Sequence, residues 1–372
     1  MAAPDSAAQD AAVARASLPV VTESRRARAL TVPPRPRDFA ADGPLRDARG
    51  RLYSYVRISL TDRCDMACVY CMPAGGEAEH GERRELLSDD ELARLASVLA
   101  RLGVRRVRLT GGEPLVRRGV ADLVGRMRDA GASEIVLTTN GSLLGRHAEA
   151  LARAGLASVN VSIDSLVPSR FSEITRGAAL GDVLEGIAHA RSVGLSVKKT
   201  NTVVLGGVND DELAAVTEWA WSSALTPRFI ELMPIGEGAR LPATRFVSAD
   251  AMRGALGALL VDERGEPDQG VGPARYASAR DGSGRRVGFI TAVSDEFCAS
   301  CNRIRITSHG ELRACLADRA SVSLRDAMRA SASDADLAWS IAWALGAKGE
   351  GHAFTNADVH EHQAVGMSLI GG

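Results

Sequence analysis

The cysteines of this chain occur only in two triplets: Cys64, Cys68 and Cys71 in CDMACVYC, and Cys298, Cys301 and Cys315 in CASCNRIRITSHGELRACL. Thiols clustered in this way bind metal more often than they form disulfides, which scatter through small secreted chains. Three thiolates leave a site one donor short. An iron–sulfur cubane held by only three cysteines keeps one iron open to a small molecule. Zinc completed by a histidine is the rival, with His80 beyond the first triplet and His309 inside the second as candidates. In CNRIR, Arg303 and Arg305 share a face if the segment is extended, beside the second triplet. Guanidinium forks so placed suit a phosphate or a carboxylate.

The elements that must hold these groups come from the hydrophobic pattern. Between Tyr53 and Met233, short β-like runs alternate with helical stretches, which predicts βα units around a parallel sheet. The runs are 55–60, 104–110, 134–138, 158–164, 197–204 and 228–233. Ser88 with Glu91 three residues later predicts a capping box at a helix start, and another helix is expected from Asp210 through Trp219.

Period-2 alternation sets Val107 and Leu109 against Arg106, Arg108 and Thr110. It likewise sets Val159, Val161 and Ile163 against Ser158, Asn160, Ser162 and Asp164, and Val56, Ile58 and Leu60 against Arg57 and Ser59. If helices cover the apolar face, the polar face lines the inside of a barrel. Ordinary barrels fill that interior with branched apolar residues. Buried cations cost several kcal/mol each unless answered, so such a lumen must be wet or must receive an anion. The run 134–138 alternates poorly, and Arg228 is out of phase with Glu231 and Met233.

Charge is balanced, with 45 Lys and Arg against 46 Asp and Glu, which argues against a nucleic-acid or membrane-surface partner. Residues 1–48 read as a disordered arm with neither a signal peptide nor a transit peptide, and no apolar run is long enough to span a bilayer. A cytoplasmic enzyme is expected.

CxxxCxxC with Tyr70 before its last cysteine, followed by TGGEP at 110–114, resembles the radical S-adenosylmethionine (SAM) superfamily. The blocks RxSxTDRC…CxYCMP at 57–73, RLTGGEPLxR at 108–117 and TTNG at 138–141 narrow the likeness. So do NVSIDSL at 160–166, RFIELMP at 228–234, FCxxCNRIRxT at 297–307 and the terminal MSLIGG at 367–372. Together they resemble the molybdenum cofactor biosynthesis protein A family, the GTP 3',8-cyclases.

The resemblance implies an α/β fold: a partial (βα)6 TIM-type barrel over 49–245, its mouth closed by a C-terminal iron–sulfur domain over 246–372. It implies a [4Fe–4S] cluster on Cys64, Cys68 and Cys71, with SAM as the missing ligand beside Tyr70, Gly112, Ser162 and Met233. It implies a second [4Fe–4S] cluster on Cys298, Cys301 and Cys315, whose open iron holds the guanine. GTP would meet Arg57, Arg108, Thr138, Lys199, Arg303, Ile304 and Arg305, with the Gly371–Gly372 tail reaching the active site. The implied reaction takes the ribose 3'-hydrogen with a 5'-deoxyadenosyl radical and closes C3' on C8, giving 3',8-cyclo-7,8-dihydro-GTP.

Implied partners are a flavodoxin- or ferredoxin-like one-electron donor, a downstream cyclic pyranopterin monophosphate synthase and a second copy of the chain as a possible homodimer. Asp65, Arg106 and Val365 depart from the family's usual Asn, Lys and Arg. A radical SAM enzyme that modifies peptides, using an auxiliary cluster, is the alternative.

Overall fold

The computed structural model describes residues 28–75, 82–261, 266–267, 272–295, 297–318, 320–351, 354 and 366–370. Its strands are β1 Arg28–Ala29, β2 Tyr55–Ser59, β3 Arg106–Thr110, β4 Glu134–Thr139, β5 Ser158–Ser162, β6 Val197–Val204 and β7 Thr226–Glu231. They continue as β8 Glu266–Pro267, β9 Arg275–Ser278, β10 Arg286–Ile290, β11 Arg303–Ile306, β12 Glu311–Arg313 and β13 Ala320–Ser323. All join one sheet in the order β1-β13-β12-β11-β2-β3-β4-β5-β6-β7-β10-β9-β8.

From β2 to β7 the strands pair in parallel and in sequence order, as a βα barrel requires. The intervening helices are α1 Asp89–Arg101, α2 Val120–Asp129, α3 Leu144–Arg153, α4 Pro168–Thr175, α5 Leu180–Ser192 and α6 Leu213–Ser222. The capping box forms as expected: Ser88 Oγ accepts from Glu91 N and Glu91 accepts from Ser88 N. The helix expected from Asp210 begins at Leu213 instead, because Asp210 accepts from Gly207 N within the preceding turn.

The parallel array does not stop at six strands. β10 pairs in parallel with β7 at one edge and β11 pairs in parallel with β2 at the other. Cys298 and Cys301 lie between β10 and β11 in the chain, and so between strands held at opposite edges of the six-strand array.

Alternation sorts the side chains as the sequence predicts. Val56, Ile58, Val107, Leu109, Val159, Val161 and Ile163 are buried against the helix layer, in a core that includes Leu95, Leu99, Leu123, Leu144 and Val183. Arg106 departs from the inward reading. It lies at the start of β3 and pairs with Glu134 at 2.7 Å, away from the cavity.

The disordered arm also needs correction. Residues 1–27 are outside the described set, but 28–48 are ordered. β1 pairs with β13, Leu30 N donates to Ser321 O, and Trp339 Nε1 donates to Pro33 O. Phe39 meets Trp339 edge-on at 5.2 Å, and Leu45 is buried. Apolar residues too scattered to form a core of their own, Leu30, Val32, Phe39, Ala41 and Leu45, are taken up by the main core of the folded body. Among the described residues no helix is long and apolar enough to cross a membrane.

Candidate active site

A cavity of about 290 Å³ lies inside the sheet, and all six cysteines line it. The first triplet occupies the loop after β2. That loop is pinned from outside by the end of α4: Ala67 N and Val69 N donate to Thr175 O and Ile174 O, and Arg176 donates to Ala67 O and Met72 O. Cys71 N and Met72 N fold back onto Cys68 O. Met66 N donates to Cys64 Sγ at 3.4 Å.

The segment after β3 packs on this loop through main chain. Gly112 N and Glu113 N donate to Thr61 O and Arg63 O, both at 2.8 Å. A Cβ on Gly112 would lie 2.3 Å from Arg63 O, so only glycine permits this approach. The buried Glu113 carboxylate ties GGEP to TTNG by accepting from Leu115 N, Thr139 Oγ1 and Asn140 N. Burial lifts this carboxyl to about 7 despite those three donors.

The cavity also holds a cluster of cations. Arg305, Arg57 and Arg108 are register partners on β11, β2 and β3, and all three line the cavity with Arg228 and Arg303. Arg108 donates to Tyr55 Oη at 2.5 Å and to Thr138 Oγ1 at 2.9 Å. With its oxygen turned toward both guanidiniums, the Asn160 amide accepts from Arg108 at 2.8 Å and Arg228 at 2.7 Å. Arg228 also donates to Asn201 at 2.6 Å. These oxygens are neutral.

The carboxylates of the cavity wall are engaged elsewhere. Glu231 accepts from Ala249 N, Val293 N and Ser294 N, and Asp164 accepts from Tyr70 Oη at 2.7 Å and Val203 N at 2.9 Å.

The cost of this cluster shows in its proton equilibria. Burial, then Arg305, holds Arg57 well below the usual guanidinium range. Burial and Arg303 bring Arg305 down to about 10. Burial alone would raise the Tyr55 phenol, but Arg108 and Arg57 beside it draw it down to about 8. Burial drives Cys64 up to about 12 and Cys68 well above its ordinary range. At Cys301 burial is outweighed by Arg303 and Lys348, which bring the thiol down to about 7. The cavity thus favours negative charge along its arginine wall and at the second triplet.

Most residues singled out from the sequence meet here. Tyr70, Gly112, Ser162, Met233, Thr138, Arg57, Arg108, Arg303 and Arg305 all line the cavity. Lys199 is held slightly apart, its Nζ donating to Tyr276 Oη at 2.7 Å. The Ile304 side chain is fully buried in the outer core, so only its main chain can face a ligand. Gly371, Gly372, Val365 and His80 lie outside the described residues. His309 faces Asp62 at 3.5 Å instead of the thiols.

Tyr55, Asn160, Asp164, Asn201 and Arg228 complete the wall. Alternation already placed Asn160 and Asp164 inward. Arg228 was obscured because Glu231, one step out of phase, also turns toward the cavity.

Among the described residues no three His, Cys, Asp or Glu side chains converge on a single ion. Thiolates of a cubane need not converge, since each binds a different iron. Three thiols outside any disulfide, beside a glycine-built main-chain shelf, fit a cluster carrying a small ligand.

Comparison with known proteins agrees with this geometry. Residues 58–220 match the Radical SAM superfamily, and residues 225–354 match Molybdenum Cofactor Synthesis C. The GTP 3',8-cyclase of Rhodopseudomonas palustris (strain TIE-1) is 43% identical over 339 residues, covering 89% of this chain and 96% of that protein. The chain belongs to the GTP 3',8-cyclase family.

Family members named GTP 3',8-cyclase from Heliobacterium modesticaldum and Caulobacter vibrioides are 43% and 42% identical, over 88% and 93% of this chain and 99% and 98% of theirs. Among solved structures, Streptococcus suis SuiB bound to S-adenosylmethionine aligns with a TM-score of 0.55 at 14% identity. That alignment covers 72% of this chain and 62% of SuiB and speaks for the fold alone.

Proposed function

We propose that this protein cyclises GTP to 3',8-cyclo-7,8-dihydro-GTP by radical SAM chemistry, the first step of molybdenum cofactor biosynthesis. The observation that carries the reading is one cavity walled by two cysteine triplets and five arginines. The cofactor, when bound, supplies one-electron reductive cleavage of SAM and hence a carbon radical able to take hydrogen from ribose.

The chain's own groups bind and position. Cys64, Cys68 and Cys71 hold the first cluster, and Tyr70, Gly112, Ser162 and Met233 surround SAM. Cys298, Cys301 and Cys315 hold a second cluster. Arg57, Arg108, Arg303 and Arg305, with Thr138, Lys199 and the main chain of Ile304, take GTP. Its triphosphate carries about four negative charges, and each charge-assisted hydrogen bond contributes roughly 1.5–3 kcal/mol. Anchoring the phosphates on the arginine wall turns the ribose toward the first triplet. Gly371 and Gly372 complete the site as a tail.

Residues 49–245 form the SAM-binding unit and 246–372 the unit of the second cluster. A flavodoxin- or ferredoxin-like protein delivers the electron, a cyclic pyranopterin monophosphate synthase consumes the product, and the enzyme works in the cytoplasm, with a homodimer as its assembly.

Anaerobic incubation of reconstituted protein with GTP, SAM and a reductant tests the reading by mass spectrometry. A dihydro-nucleotide isomeric with GTP, formed together with 5'-deoxyadenosine, is expected. Cleavage of SAM with GTP recovered unchanged overturns it.

A further inference from the structure

Behind the second triplet lies a buried lysine that the reaction described above does not use. Lys348 follows the helix Asp334–Gly346 and is 6% exposed. Its Nζ donates to Cys301 Sγ at 3.4 Å and to Arg303 O at 3.1 Å, and it lies 4.8 Å from the centre of the Tyr53 ring. Its position is fixed from the other side as well, since Arg49 Nη1 donates to Lys348 O at 2.8 Å.

A second cation nearby shows what is unusual about it. Arg51 donates to Cys298 O at 3.0 Å and Gly349 O at 3.1 Å, and its charge is answered by Asp47 at 2.5 Å. Asp47 also accepts from Tyr53 Oη at 2.9 Å. Among the described residues no carboxylate lies within ion-pair distance of Lys348; its partners are a thiol, a carbonyl and a ring. A buried ammonium without a counter-ion is costly, so its natural counter-charge is the thiolate set in front of it.

We propose that Lys348 is a positioning residue of the second metal centre, whose ammonium donates to the Cys301 sulfur and raises the centre's reduction potential. This rests on the reading that Cys298, Cys301 and Cys315 hold an iron–sulfur cluster. Reduction adds negative charge to such a centre. A fixed cation and an N–H···S bond both favour that charge, and potentials of iron–sulfur centres follow net charge and hydrogen bonds to sulfur.

The test uses full-length protein carrying Cys64→Ala, Cys68→Ala and Cys71→Ala, so that only the second centre is loaded. Midpoint potentials are read by electron paramagnetic resonance during reductive titration. Lys348→Met is expected to weaken one-electron uptake at least tenfold, a downward shift of about 59 mV. Lys348→Arg, which keeps the charge, stays near the parent, as does the exposed control Lys198→Met.

An unchanged potential in a fully loaded Lys348→Met protein overturns the proposal. If that variant does not load, Lys348→Gln, which keeps an N–H donor without the charge, takes its place. A lowered potential there supports the role and an unchanged one overturns it. A parent background that binds no iron refutes the reading of the second triplet itself, and the role of Lys348 with it.

Discussion

Arg57 sits in the middle of a row of three register-matched arginines, between Arg305 on β11 and Arg108 on β3. Neighbouring strands are about 4.8 Å apart, and at an effective dielectric of ~20 two unit charges at that spacing repel by about 3 kcal/mol. The side chains can splay, so the net penalty on Arg57 in the ligand-free protein is taken as about 1–3 kcal/mol. Its depressed proton affinity, caused by burial and then by Arg305, points the same way.

Arg57→Met removes the charge while roughly keeping the volume, which limits any cavity term. Ligand-free Arg57→Met protein should melt about 1–4 °C higher than the parent. GTP binding should weaken by one charge-assisted contact, roughly 1.5–3 kcal/mol or about 10- to 150-fold. Saturating GTP should therefore reverse the order of melting temperatures. Anaerobic thermal unfolding with and without GTP, together with titration calorimetry, reads both effects. A variant less stable without ligand and undiminished in GTP affinity would refute the idea that this wall is strained to await an anion.

Three further outcomes follow from particular side chains. With its folded value drawn down to about 8 from an ordinary 10, Tyr55 favours folding increasingly as pH rises from about 8 to 10. Tyr55→Phe should lack that gain in stability–pH profiles, and GTP binding by the parent should weaken above pH 8 as the phenolate competes for the arginines. Gly112→Ala places a Cβ 2.3 Å from Arg63 O, a main-chain atom that cannot swing aside. Iron content should then fall as the cluster on the first triplet is lost, by about half if the second triplet holds a cluster as proposed, and unchanged iron would contradict the shelf. Arg303→Ala should reduce GTP affinity far more than uncoupled SAM cleavage, whereas equal loss of both would make Arg303 a support for the metal site only.

The inward wall was legible because a strand's period is rigid. Once Val56 and Ile58 are assigned to the helix side, Arg57 has one direction left to face. The thiols were legible from spacing alone. What alternation could not supply was position along the strand: Arg106 and Arg108 share a face, yet Arg106 sits at the strand's start and is taken by Glu134 while Arg108 reaches the cavity. Nor could it supply long-range partners. Asp47, Arg49, Arg51 and Tyr53 straddle the boundary between the expected arm and the barrel, and their roles appear only when Cys298, Gly349 and Lys348 are brought beside them from some 250 to 300 residues away. The ordering of 28–48 was missed for the same reason, because β1 pairs with β13, Phe39 meets Trp339 and the other apolar residues pack on the main core, all of it supplied from far along the chain.

The sheet itself sets the distance between the two triplets. β10 and β11 are consecutive in the chain, yet each hydrogen-bonds to the opposite edge of the six-strand array. The loop bearing Cys298 and Cys301 is thus tethered at both ends to the barrel that carries Cys64, Cys68 and Cys71. Register does the measuring: Arg303 pairs with Tyr55 and Arg305 with Arg57, so a slip of one residue on β11 would turn both arginines out of the cavity and shift Cys301 with them. A hinged second domain could vary the gap between the two triplets, whereas a shared sheet holds it to the pitch of the strands. For a radical that must meet one carbon of a bound nucleotide, such fixity is the property needed, because misplacement by about 1 Å can cost roughly a hundredfold in rate.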